Sequence, residues 1–325
     1  MPVFYAGVAF VLRVFCLGIY LPIAELSVNL FTLLAIGAAV GFLSGMFGVG
    51  GGFLITPLLI LYNIPPAVAV GTGANQVIAT SLSGALAHYK RRTIDFKLGL
   101  VLLVGGLIGS TIGAFVFSLL RRWGQLDLVI SLLYVAFLGS VGSLMLWESI
   151  STALRNRNGT EAPATGNPAR EIWVHRLPFK VRFEVSRIYI SIIPVIAIGI
   201  FIGFLSAIMG VGGGFIMVPA MIYILKVPTN VVVGTSLFQI IFVSAYTTMI
   251  HATANNTVDV VLASCLMIGG VAGAQYGANV GQKLRGEQLR ALLALLVISV
   301  ALRLAYGLFV TPDSIYTISS TAAQA

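Results

Sequence analysis

The sequence predicts an all-α polytopic membrane protein, made of two homologous helical repeats of inverted topology with glycine-broken helices. Three observations predict it. Of 325 residues, 58% are hydrophobic and only 9% charged, whereas a soluble domain carries about a quarter charged residues. A glycine-rich segment recurs 162 residues further on. The basic residues gather in a few loops, as topology signals do. Mean hydropathy is +1.01, which sets an ordinary soluble enzyme aside.

The elements follow in order. Residues 4–24 form an apolar run broken by Arg13. Ile23-Ala24-Glu25 offers no small-x-small cleavage pattern, so the run reads as a retained helix within an N-terminal segment 1–27. No acidic residue occurs from Leu26 to Ile94. That stretch reads as a helix at 28–47, a glycine break, a short apolar piece at 53–63 and a helix at 68–88. Helices at 98–120 and 126–147 complete a first repeat, 28–149. A membrane span needs about 20 apolar residues, which the short piece lacks. Residues 150–187 form a polar linker containing Asn156, Gly159, Pro163 and Pro168. The pattern then returns as 188–208, a glycine break, 215–226, 230–251, 259–281 and 289–310. The second repeat is thus 188–310, followed by a tail, 311–325.

The repeat is visible residue by residue. Residues 41–57 read GFLSGMFGVGGGFLITP and residues 203–219 read GFLSAIMGVGGGFIMVP, with eleven identities. Pro66 pairs with Pro228, Gly71-Thr72 with Gly234-Thr235, Gln76 with Gln239, and His88 with His251. Gly105-Gly106, Gly109 and Gly113 pair with Gly269-Gly270, Gly273 and Gly277. Duplication with this period in an apolar chain points to a transporter.

Topology follows from charge. Fifteen of the 19 Lys and Arg residues lie in the loop 89–97, the linker, the turn at Lys226 and the loop before the last helix. Placing these on the cytoplasmic side puts the loop after His88 inside and the uncharged loop 252–257 outside. The two repeats then cross the membrane in opposite senses.

The glycine breaks, Gly48-Val49-Gly50-Gly51-Gly52 and Gly210-Val211-Gly212-Gly213-Gly214, are the strongest local feature. Glycine in a helix interior costs about 1 kcal/mol against alanine. Irregular backbone in a bilayer is tolerated only when buried in protein or lining a cavity. Each break starts a short helix whose free N–H groups and dipole favour an anion. The alternative is close helix crossing through small residues. The break lacks the Gly-Lys-Ser/Thr of a phosphate loop. Behind each break, Thr72 and Gln76, and Thr235 and Gln239, stand four apart on one helical face. Asn75 has Phe238 as its counterpart, so the half-sites are unequal. Ser81 and Ser244 also pair, but serine is a common packing residue. The substrate-binding candidates are therefore Gly48, Gly50, Gly51, Gly52, Thr72, Asn75, Gln76, Gly210, Gly212, Gly213, Gly214, Thr235 and Gln239.

Other polar residues read more simply. Asp95 and Asp259 fall at helix starts, as caps do. His88 and His251 fall at helix ends, so a solvated or interfacial place is expected. Arg303 lies well inside the last helix, where it snorkels or faces a cavity. Cys16 and Cys265 make neither a disulfide framework nor a metal site. No catalytic motif is evident, so the chain reads as a non-enzyme with no cofactor or metal.

The doubled GFLSG-x-FGVGGGF-(x)3-P signature, with its Val-Gly-Thr sequel, resembles the sulfite exporter TauE/SafE family of membrane permeases over roughly residues 28–310. The resemblance implies a bacterial inner-membrane secondary carrier of sulfite, sulfoacetate or other organosulfonates. Compact oxyanions need several N–H and O–H donors, which the breaks and their neighbours supply. The expectation is alternating access around a central anion site, with an anion channel or a membrane component of sulfur metabolism as alternatives. The expected partners are the lipid bilayer and a small sulfur-containing anion. A homodimer is compatible with this reading, and nucleic acid is not expected.

Overall fold

The computed structural model describes residues 18–47, 50–90, 92–157, 180–183, 185–186, 188–281 and 286–309. The chain is built twice over. The first copy runs β1 (Gly18–Leu21), β2 (Leu26–Asn29), α1 (Leu30–Phe47), α2 (Gly52–Leu61), α3 (Pro66–Lys90), α4 (Phe96–Arg122) and α5 (Leu126–Arg157). The second runs β3 (Lys180–Phe183), β4 (Ile188–Ser191), α6 (Ile192–Met209), α7 (Gly214–Tyr223), α8 (Thr229–Thr253), α9 (Val260–Gly281) and α10 (Gly286–Phe309).

Two expectations are corrected at the start of each copy. Residues 18–21 do not continue a helix: they pair antiparallel with 26–29, Gly18 opposite Asn29 and Leu21 opposite Leu26. The rest of that predicted helix, 4–17, lies outside the described residues. The same hairpin recurs 162 residues on, where Lys180 pairs with Ser191 and Phe183 with Ile188. The polar stretch after 150 is also shorter than predicted, because α5 runs on to Arg157 and β3 already belongs to the second copy.

Among the described residues, five helices are long and apolar enough to cross a membrane: Phe96–Arg122, Leu126–Leu144, Ile192–Met209, Val231–Thr253 and Val260–Gly277. The pattern on α4 is that of a helix between lipid and protein. Leu100, Val104, Ile108, Ile112 and Phe115 are exposed, at spacings of three and four that form one stripe. Gly105, Gly106, Gly109 and Gly113 are buried on the other face. Arg303 belongs to the outer surface as well: it is exposed, its guanidinium 5.8 Å from the ring centroid of Tyr306. This favours the snorkelling alternative over the cavity.

The glycine excess is spent largely on helix crossings between the copies. α1 packs parallel to α9. A Cβ on Gly41 would come within 2.0 Å of Gly270 O, and one on Gly277 within 1.9 Å of Phe42 O. α6 packs on α4 in the same way, with Gly203 against Gly106 O at 2.1 Å and Gly109 against Ile200 O at 2.0 Å. Without side chains between them, the backbones approach until dispersion and Cα–H contacts hold the pair. α3 and α8, which are counterparts, cross antiparallel: Gly71 faces Thr257, Gly84 faces Leu237, and Gly234 faces His88 and Thr93. α1, α3 and α4 of the first copy thus find their partners in α9, α8 and α6 of the second.

The hairpins exchange in the same sense. Asp259, the cap of α9, accepts the N–H groups of Val261 and Leu262 on Oδ1 at 3.0 and 3.1 Å, and that of Ile23 in the first hairpin turn on Oδ2 at 3.0 Å. Asp95, the cap of α4, accepts from Leu98 N–H on Oδ1 at 3.1 Å. Its Oδ2 accepts from Ser186 N–H and Oγ–H, in the second hairpin turn, at 3.0 and 2.7 Å. Both carboxylates are buried, and each accepts hydrogen bonds from three donors.

Candidate functional site

The two glycine breaks are built alike. α1 ends at Phe47 and α2 starts at Gly52, behind Gly51 at φ 71° and Gly50 at φ 86°. α6 ends at Gly210 with φ 69°, and α7 starts behind Gly212 and Gly213 at φ 70° and 78°. Five left-handed positions in two short segments explain the conserved spacing of the glycines within the chain, since an L-side chain there costs about 1–2 kcal/mol. Gly48 lies outside the described residues. The helical ladder of α2 begins with Leu54 N–H to Gly51 O at 3.2 Å, and that of α7 with Ile216 and Met217 N–H to Gly213 O at 3.2 and 2.9 Å. The N–H groups of Gly52, Phe53, Gly214 and Phe215 precede those bonds, at the positive end of each helix. Each helix has ten residues, enough for a dipole.

The breaks meet. Phe53 and Phe215, counterparts in the repeat, stack with centroids 4.3 Å apart. A Cβ on Gly52 would lie 2.2 Å from Val211 O, the backbone of the opposite break. Gly50 and Gly212 share the neighbours Val77 and Ile240, which are themselves counterparts. One turn along α3 and α8 from these stand Ser81 and Ser244. The Ser81 Oγ is 2.9 Å from the Cβ position of Gly50, and the Ser244 Oγ is 2.9 Å from that of Gly212. Both side chains are fully buried, and both hydroxyls lack a hydrogen-bond partner. An unpaired buried hydroxyl costs the fold about 1–3 kcal/mol, so two at equivalent positions call for a reason.

The predicted residues divide by place. Gly50, Gly52 and Gly212 stand at the meeting point, whereas Gly51 faces Ser44 and Val40 and Gly213 faces Ile202, each on the preceding helix of its own copy; Gly214 opens α7. Gly210 turns toward α3, where a Cβ would lie 2.5 Å from Val70 O. Gln76 donates from Nε2 to Gly37 O at 3.3 Å, while its Oε1 has no partner. Gln239, fully buried beside Gly106, has no partner for either Nε2 or Oε1. Thr72 and Thr235 are not at the breaks. Their hydroxyl oxygens accept the backbone N–H of Asp259 and Asp95 at 3.1 and 3.0 Å, which ties each to the exchanged hairpin cap. Asn75 is half-buried on the flank of α3, as is Phe238 on α8, where that ring meets Phe96 and Phe242 edge-on.

The half-sites differ in detail. Thr80 donates from Oγ1 to Gly50 O at 3.0 Å, and Val243 stands at the equivalent place on α8. Ser81 and Ser244 are the residues undervalued in the sequence. Their signal was present, since they follow Gln76 and Gln239 at the same distance in both copies. Being serine in a packed helix, they carried no local mark of being unpaired.

His251 corrects another expectation. It is fully buried rather than interfacial. Nε2 lies 2.9 Å from Ala207 O and Nδ1 lies 3.0 Å from Asn255 Nδ2. A carbonyl only accepts and an amide nitrogen only donates, so Nε2 carries the proton and the ring is neutral. His88 is half-buried, with Nδ1 3.0 Å from Thr93 Oγ1. Among the described residues no three His, Cys, Asp or Glu side chains cluster as a metal site would require.

A family model described as Sulfite exporter TauE/SafE matches residues 33–304. The chain is 29% identical over 292 residues to the probable membrane transporter protein YunE of Bacillus subtilis (strain 168), covering 85% of this chain and 98% of that one. It is 25% identical over 273 residues to the probable membrane transporter protein YjnA of the same organism, covering 84% and 98%. A probable membrane transporter protein of Xylella fastidiosa (strain 9a5c) is 29% identical over 271 residues, covering 82% and 91%. No solved structure matches.

Proposed function

From a chain that belongs to the sulfite exporter TauE/SafE family of membrane transporters, we propose a secondary carrier that moves small sulfur oxyanions such as sulfite or organosulfonates by alternating access. The observation that carries the reading is the meeting of two helix starts with two unpaired, fully buried hydroxyls, Ser81 and Ser244, beside them. An oxyanion supplies acceptors for all of these donors at once. The N–H groups of Gly52, Phe53, Gly214 and Phe215 extend the donor set.

Inverted topology is supported by the contacts between counterparts. α3 and α8 cross antiparallel, so the operation that relates the copies reverses the helix direction. An axis lying along the membrane plane does this, and an axis along the normal does not. The stacked pair Phe53–Phe215 and the shared neighbours Val77 and Ile240 then lie near that axis. Alternating access would open the site first to one side and then to the other. The positive-inside rule supports a cytoplasmic linker, and the family resemblance supports a bacterial inner membrane.

The closed stack of Phe53 on Phe215 favours a carrier over an open pore. The test is counterflow: proteoliposomes preloaded with unlabelled sulfite should accumulate labelled sulfite transiently and saturably. Linear, non-saturating flux would establish a channel instead.

A further inference from the structure

Resting on the carrier reading above, we infer that the units moving against each other during transport are not the two sequence repeats but two bundles that have exchanged helices, turning on two equivalent connectors. The first bundle holds the first hairpin and α1–α3, together with α9 and α10 from the second copy. The other holds α4 and α5 from the first copy, together with the second hairpin and α6–α8. Along the chain the second bundle is continuous, 95–253, and the first is its two flanks, 18–90 and 260–309.

The packing divides this way. In the first bundle α9 lies against both α1 and α3. Beyond the crossings with α1, a Cβ on Gly270 would come within 2.7 Å of Gln76 Nε2 and 3.2 Å of Thr80 Cγ2. In the second, α4 lies against both α6 and α8, where a Cβ on Gly106 would come within 2.7 Å of Gln239 Nε2 and of Val243 Cγ2. Hydrogen bonds follow the same division. Ile23 and Thr72 with Asp259, Gln76 with Gly37 O and Thr80 with Gly50 O lie inside the first bundle. Ser186 and Thr235 with Asp95, Ser110 with Gly203 O, Thr111 with Tyr246 and His251 with Ala207 O lie inside the second. α5 joins the second through Tyr134, whose hydroxyl donates to Met209 O, and α10 lies against α2 in the first.

The seam between the bundles is of another kind. There Phe53 stacks on Phe215, Gly84 meets the Leu237 side chain, and Ile240 and Val77 each reach the opposite break. On the flank, Gly142 meets Val297 and Ile298. Apolar contacts are non-directional and tolerate sliding. Parting the repeats instead would strip α1 from α9 and α4 from α6, and leave two buried carboxylates short of donors. The start of α2 and Ser81 belong to one bundle, the start of α7 and Ser244 to the other, so the candidate site lies in the seam.

The chain passes from the first bundle to the second between α3 and α4, and back between α8 and α9. Each passage holds a non-glycine residue in the left-handed region, Arg92 at φ 56° and Asn256 at φ 50°. Both stand three residues before a cap, Asp95 and Asp259. Hinges are a few loop residues that absorb backbone rotation. Equivalent hinges on the two passages let the seam open at one end and then at the other. The polar linker, by contrast, joins two elements of one bundle.

The test uses the full-length protein in proteoliposomes, with Cys16 and Cys265 replaced by alanine and counterflow of labelled sulfite as the readout. One cysteine pair, Thr111→Cys with Tyr246→Cys, joins the two repeats inside the second bundle. Another, Gly84→Cys with Leu237→Cys, joins the bundles across the seam. A short, reducible bifunctional thiol reagent closes each pair, and intact mass reports closure. Closing the first pair should leave counterflow within about twofold of the open pair, whereas closing the second should abolish it until reductant is added. If the Gly84 pair is inactive while still open, Gly142→Cys with Ile298→Cys takes its place on the flank of the seam. Arrest by the Thr111–Tyr246 join, or undiminished counterflow with the seam joined, overturns the inference while leaving a carrier in place. Absence of saturable counterflow in the protein without a cysteine pair overturns the carrier reading on which it stands.

Discussion

Replacing Ser244 by alanine separates a binding role from a structural one, because the two predict opposite signs. The Ser244 hydroxyl is fully buried and has no partner. In the fold alone it is a liability, since an unsatisfied buried donor costs about 1–3 kcal/mol. Ser244→Ala removes that cost and only one oxygen of volume, so equilibrium unfolding in detergent should show no loss of stability and a gain of up to about 1 kcal/mol. With a bound oxyanion the balance reverses. A hydrogen bond to a charged group contributes about 1.5–3 kcal/mol, which corresponds to roughly 10–150-fold in affinity. The half-saturation concentration for sulfite counterflow should rise by that factor. Ser81→Ala should act the same way, and the double variant more strongly, with partial non-additivity because both hydroxyls address one ligand. Destabilisation by more than about 1 kcal/mol, together with an affinity within twofold of the unmodified protein, would refute the assignment and make the serines packing residues.

The exchanged hairpins supply a second test. Asp259→Asn turns an amide N–H toward the Ile23 N–H, and should cost about 1–3 kcal/mol in detergent unfolding. Asp95→Asn should cost less, because the Ser186 hydroxyl that donates to Asp95 Oδ2 can rotate and accept from the new amide. Gly52→Ala should abolish counterflow with membrane insertion retained, since its Cβ would fall 2.2 Å from Val211 O and force the breaks apart; full activity would show that the breaks need not touch. Cys265→Ala should retain full counterflow, because this buried free thiol stands on α9 away from the breaks, and loss of flux would point to a thiol in the mechanism.

Much of the frame was legible from local pattern. Apolar runs of about 20 residues mark spans regardless of tertiary context, because the bilayer sets the length. Glycine clusters mark breaks because no other residue tolerates their backbone. Asp95 and Asp259 could be read as caps from position alone. The hairpins were not legible. Four-residue strands inside the apolar run 18–29 show too few alternations to separate them from a helix, although Lys180, Val181, Arg182 and Phe183 alternate more clearly. The place of His251 was lost for a related reason: a helix end is solvated only if nothing covers it, and here Phe117, Ala207 and Asn255 do.

The candidate site shows the same division. Composition and repetition alone determined that the chain is duplicated, apolar, broken twice at glycine and nearly free of charge inside, since each of these is a property of neighbours along the chain. Which residues meet was decided only in three dimensions. Thr72 and Gln76 share a helical face by periodicity, yet one hydroxyl caps Asp259 while the neighbouring Val77 and Ser81 reach the break. Whether a buried hydroxyl is paired depends on atoms contributed by segments some 160 residues away, and on helix crossings set by the glycines of the other copy. Hydrogen-bond satisfaction is a property of that assembled surround, which is why the two serines emerged only with the fold.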